Sequence, residues 1–185
     1  MCVEKTPWEQ VVDFHGHTCP GIALGFRVAQ IAQRELGLRP APSAELLVKA
    51  ETQSCALDAF QILNKATCGR GTLQIKEKGK HVYSFQYSGT DDLVRVALKG
   101  DLLARIAEPA SFTNPRQRQN WVLETIQFIL ACPEEEFCTV RRTPAVLYND
   151  TAIPQWTACS VCGEAVRTDH AVQTGEVFKC LTCAD

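Results

Sequence analysis

Apolar positions change period several times along this chain, and each change marks an element. Thr6-Pro7-Trp8-Glu9 predicts a helix start, with Thr6 as N-cap, Pro7 in the first turn and Glu9 closing a capping box. That helix carries Trp8, Val11, Val12 and Phe14 and breaks at Gly16. A second helix is expected from Cys19-Pro20 to Leu36, stopped by Gly37. Its apolar residues (Ile22, Leu24, Phe26, Val28, Ile31) fall nearly all round, which predicts burial. Residues 45–51 read as a strand and 55–63 as a short helix. Residues 72–78 and 81–87 alternate on either side of Gly79-Lys80, a hairpin signal. Residues 93–98 read as a strand, 102–107 and 116–131 as helices, and 137–142 as an edge strand. Pro115 opens the later helix, whose Trp121, Ile126, Phe128 and Ile129 are core candidates.

Helices, a hairpin and further strands together predict an α+β fold, with a mixed or antiparallel sheet packed with helices. The organisation expected is a core over residues 1–143, a linker at 144–155 with Pro144 and Pro154, and a small C-terminal module at 156–185.

Composition narrows the function. The chain has 185 residues, 45% hydrophobic and 22% charged, which excludes a disordered, collagenous or coiled-coil protein. No apolar stretch approaches the roughly 20 residues of a membrane span. Met1-Cys2-Val3-Glu4-Lys5 shows no signal peptide, so a cytoplasmic protein is expected. A net charge of −2 argues against a broad grip on nucleic acid. No glycine-rich phosphate loop points to a nucleotide cofactor, and no ferredoxin-type cysteine run is present.

The 10 cysteines are out of proportion, and in a cytoplasmic chain clustered cysteines serve as metal ligands or catalytic thiols. Cys159, Cys162, Cys180 and Cys183 form C-x2-C-x17-C-x2-C, the spacing of a four-cysteine structural zinc site. Gly163 supplies the positive φ such a knuckle requires. So short a module buries little core, so metal must provide its folding energy. It resembles the DksA/TraR type of zinc finger, a family that binds RNA polymerase. With two cations (Arg167, Lys179) against four anions (Glu164, Asp169, Glu176, Asp185), it is a poor phosphate binder, so nucleic acid is not the expected partner.

Phe14-His15-Gly16-His17-Thr18-Cys19-Pro20-Gly21 carries the strongest chemical signal. In an extended chain His15, His17 and Cys19 line one face. Cys19 stands at the N-cap of the second helix, where the dipole and free N–H groups favour a thiolate. A thiolate beside imidazoles makes a soft transition-metal site or an activated nucleophile. Cys55, with Asp58 one turn on, puts a thiol at a second strand-to-helix junction, and Cys68 puts one in a glycine loop. His81 is expected at the surface, and Asp169-His170 in solvent.

These strings also carry a family resemblance. His15-Gly-His-x-Cys-Pro-Gly21, Cys55-x-x-Asp58-Ala, Thr67-Cys-Gly-x-Gly71 and Gly79-Lys80 resemble the FmdE family, named for the molybdenum- and tungsten-dependent formylmethanofuran dehydrogenase operon. The resemblance covers about residues 8–145. It implies an α+β homodimer with a metal-binding cleft and makes His17, Cys19 and Cys55 the ligand or catalytic candidates, with His15 and Cys68 near them. Arg70 stands where the family pattern calls for Lys. The implied function is a metal-dependent enzyme or an accessory subunit of a molybdenum or tungsten oxidoreductase handling one-carbon units, with zinc the expected core metal. A metallochaperone without turnover and a transcription-associated zinc-finger protein are the competing readings.

Overall fold

A computed structural model describes residues 4–38, 46–87, 91–144 and 155–184. The chain divides into two compact units, Met1–Val146 and Leu147–Asp185.

In the first unit, α1 (Pro7–His15) begins as the sequence predicts: Thr6 and Glu9 exchange a capping box, and Gly16 ends the helix at φ 86°. The helix α2 (Pro20–Glu35) follows, then β1 (Leu46–Ala50), α3 (Ala56–Leu63), β2 (Leu73–Ile75), β3 (Val82–Tyr87) and β4 (Asp92–Leu98). The unit closes with α4 (Gly100–Arg105), α5 (Pro115–Ala131), α6 (Glu134–Phe137) and β5 (Cys138–Pro144). The one-turn α6 carries no signal of its own in the apolar pattern.

The strands form one mixed sheet in the order β2-β1-β3-β4-β5. Thus 72–78 and 81–87 are not a hairpin. Strand β1 lies between β2 and β3, parallel to the first and antiparallel to the second. Alternation specifies a pleated strand but not its neighbour. Here Lys76, Lys78 and Lys80 donate their N–H groups to the carbonyls of Ala50 and Glu51, so the Gly79 loop wraps round the end of β1. The expected edge strand is present as β5, paired among the described residues with β4 alone.

The sheet face carrying Leu46, Val48, Ala50, Tyr83, Phe85, Val94 and Val96 is buried in one core with Val28, Ile31 and Phe60 from the helices. Phe60 of α3 stands edge-on to Tyr83 and Phe85, with ring centroids 5.0 and 5.2 Å away. Such aromatic pairs contribute about 1 kcal/mol each beyond their burial. Ile126 and Ile129 are buried as expected, whereas Trp121 and Phe128 are only partly covered, at the unit's surface. Arg27 of α2 ties α5 down by donating to the carbonyls of Ile129 and Cys132, at 2.7 and 2.8 Å, where the helix leaves its last carbonyls unpaired.

The second unit is two hairpins: β6 (Trp156–Ala158) with β7 (Ala165–Arg167), and β8 (Ala171–Thr174) with β9 (Val177–Cys180). A 3-10 turn joins them and α7 (Leu181–Ala184) follows. Among its described residues only Cys159 is buried; Trp156, Val161, Val172, Val177 and Leu181 are exposed. Of the expected linker, Pro144 belongs to β5 and 145–154 lie outside the described residues. No helix among the described residues is long and apolar enough to cross a membrane.

Candidate metal centre

The core cluster is built where α1 ends and α2 begins. His15 is the last residue of α1, Gly16 turns the chain through the left-handed region, and Cys19 is extended at φ −149°, ψ 162° as the N-cap of α2. The three candidates therefore meet through a helix–turn–helix junction, not along the extended segment that the sequence suggested. One ligand atom each from His15, His17 and Cys19 lies within 4.8 Å of the others. The two imidazoles face each other at 4.5 Å with a 31° tilt. Cys19 Sγ accepts the Ile22 N–H at 3.4 Å, as a capping oxygen would.

His15 is held at both nitrogens. Its Nδ1 lies 2.7 Å from Asp58 Oδ2 of α3, and its Nε2 lies 3.5 Å from Cys19 Sγ. An ionised Asp58 accepts the Nδ1 proton and leaves Nε2 with its lone pair toward the sulfur. The His15 side chain is 9% exposed and that of Asp58 32%, so the pair is shielded while His17 faces out.

Cys55 does not complete the compact trio but touches it. Gly21 makes room: a Cβ there would stand 3.0 Å from Cys55 Cβ, 3.6 Å from Cys55 Sγ and 3.7 Å from Cys19 Sγ. Partial burial raises the Cys55 thiol pKa, and the neighbouring Cys19 sulfur and the Asp58 carboxylate raise it further. Cys68 is exposed, in the turn before β2, and is not brought into the cluster.

Three residues take roles that the sequence does not announce. Asp58 stands in plain view one turn beyond Cys55, but only the fold aims it at His15. His81 is half-buried instead of superficial: its Nδ1 lies 2.8 Å from the hydroxyl of fully buried Tyr83, and burial lowers its pKa below 6.5. The Tyr83 hydroxyl reaches on to Ser54 Oγ at 3.3 Å, beside Cys55, and burial pushes its pKa up to about 12.

In the second unit, ligand atoms of Cys159, Cys162, Cys180 and Cys183 lie within 4.8 Å of one another. Gly163 adopts φ 76°, donates to the Cys159 carbonyl and closes the knuckle. Backbone N–H groups of Cys162, Cys180 and Val161 pull the Cys159 thiol down to about 6, which readies it as a thiolate.

A mixed sheet with a shielded His–Cys cluster at a helix N-terminus, and a separate four-cysteine knuckle, defines a two-unit metal-binding protein. The family profile described as FmdE, molybdenum formylmethanofuran dehydrogenase operon, matches residues 14–139, and the chain belongs to that family. It is 26% identical over 190 residues to a probable S-adenosyl-L-methionine-binding protein of Archaeoglobus fulgidus, across 93% of this chain and 50% of the relative. The chain thus spans about half the length of that curated relative. Among solved structures it matches an FmdE-like protein of the tungsten formylmethanofuran dehydrogenase type from Syntrophus aciditrophicus with a TM-score of 0.57 and 24% identity, over 95% of this chain and 89% of that one. At that identity the likeness concerns the fold.

Proposed function

We propose that the core unit binds zinc through His15 Nε2, His17 and Cys19, with Cys55 at the edge of the site, and that this ion serves a metal-dependent enzyme or an accessory subunit of a molybdenum or tungsten one-carbon oxidoreductase. The observation that carries the reading is the Asp58–His15–Cys19 chain, in which a carboxylate sets the imidazole tautomer that a metal ligand requires. Imidazole and thiolate together suit zinc. Three protein donors leave a coordination position free, so a bound zinc would supply Lewis acidity at His17's exposed side. Within the chain, Asp58 orients His15, the α2 N-terminus holds Cys19 as a thiolate, and Gly21 admits Cys55. Family membership supports the oxidoreductase context. A metallochaperone uses the same residues and differs in releasing its ion readily.

In this reading the second unit holds a structural zinc through Cys159, Cys162, Cys180 and Cys183, as a finger of the DksA/TraR type, and the protein is a cytoplasmic homodimer. Sedimentation of the full chain at micromolar concentration should give the mass of two chains.

The deciding experiment is metal content per chain. Wild type should carry about two zinc ions, and a full-length variant with both Cys180→Ser and Cys183→Ser about one. A variant that holds no metal at any pH where thiolates form would overturn the core site and leave Cys19 as a nucleophile.

A further inference from the structure

We propose that the cavity beside His17 binds a small organic carboxylate, gripped by Arg118, Gln119 and Thr18. The proposal goes beyond the metal reading and stands without it. The cavity measures about 370 Å³ and is lined by His17, Thr18, Pro115, Arg118, Gln119, Val122 and Leu123. That is the lower end of the range for ligand pockets, the size of a compact metabolite.

Its walls are chemically divided. Pro115, Val122 and Leu123 form an apolar side, and Leu123 is left 50% exposed there, where an apolar body could cover it. Thr18, Gln119 and Arg118 form the polar side. Among the described residues no carboxylate lines the cavity, so the fixed charge there is the Arg118 guanidinium. Glu108 accepts from Arg118 Nε at 2.7 Å. A guanidinium steered at Nε presents its remaining N–H edge, and that planar fork matches a carboxylate.

Two further features agree. Pro115, the first residue of α5, stands in the wall, so the positive end of a 17-residue helix borders the cavity. Arg27 anchors the other end of α5 to α2, which fixes the wall against the segment carrying His17. The divided lining favours an anion with a short aliphatic body over inorganic phosphate. Because His17 belongs to both cavity and cluster, the carboxylate ligand lies against the metal candidate's exposed side.

Calorimetric titration of the full chain with sodium butyrate, butyramide and inorganic phosphate tests this. Butyrate should bind saturably and about tenfold more tightly than butyramide or phosphate. Arg118→Gln should weaken butyrate about tenfold, and Leu123→Trp, which fills the cavity from an exposed position, should abolish the heat. Both changes fall on exposed residues, and unchanged melting of each variant confirms its fold. Absent butyrate binding, binding that survives both substitutions, or equal binding of butyramide or phosphate would overturn the proposal. Zinc content measured on the same samples reports the core metal separately, so either reading can fail alone.

Discussion

Gly25 of α2 lies directly against the backbone of Ala56 in α3: a Cβ at Gly25 would stand 2.4 Å from the Ala56 carbonyl oxygen and 2.5 Å from its Cα. Four residues upstream, Gly21 meets Cys55 in the same way but less tightly, at 3.0 Å. The two glycines bring the N-terminal ends of α2 and α3 together, and with them Cys19, Cys55 and Asp58.

Gly25→Ala should therefore force the helices apart. Overpacking of this kind costs about 3 kcal/mol. The loss reads out as a lower urea midpoint. A variant as stable as wild type would show that the α2–α3 approach is adjustable.

Asp58→Asn keeps the shape of the site but removes the acceptor that sets the His15 tautomer. Core metal affinity should fall about 10- to 100-fold in a competition titration with a chromophoric chelator. The four-cysteine site should keep its ion.

Cys180→Ser should unfold the second unit and leave the first folded. No apolar core replaces the lost metal, since Cys159 alone is buried among that unit's described residues. Circular dichroism should show the main cooperative transition unchanged. Its loss would mean that the first unit depends on the second.

His81 gives a pH dependence with a defined sign. Burial lowers its pKa below 6.5, so the unfolded chain binds that proton more readily than the folded one. Its contribution is complete above 6.5 and is lost as the pH falls below it. Glu51 acts in a lower window: hydrogen bonding from Arg95 lowers its pKa below 4.5, so its contribution fades as acid protonates the carboxylate there. Urea midpoints measured from about pH 7.5 to pH 5 should decline for wild type and flatten for His81→Gln. An unchanged slope in the variant would assign the decline to another group.

The sequence by itself determined what local chemistry can specify. Thr6, Pro7 and Glu9 define the start of α1 because a capping box satisfies orphan N–H groups within one turn. Gly16 and Gly163 mark turns because their positive φ is costly for other residues. The four C-terminal cysteines are legible as one cluster because their spacing alone limits how far the thiolates can separate. Tertiary structure decided what depends on distant partners. Alternation at 72–87 gives two strands, yet β1 inserts between them because its own carbonyls and core side chains pair better there. Asp58 is an ordinary helix carboxylate until α3 packs on α2 and brings it 2.7 Å from an imidazole 43 positions earlier. His81 reads as a loop residue until the buried Tyr83 hydroxyl offers it a partner. Such contacts join residues with no fixed separation in the chain, so only packing, with the desolvation it imposes, selects them.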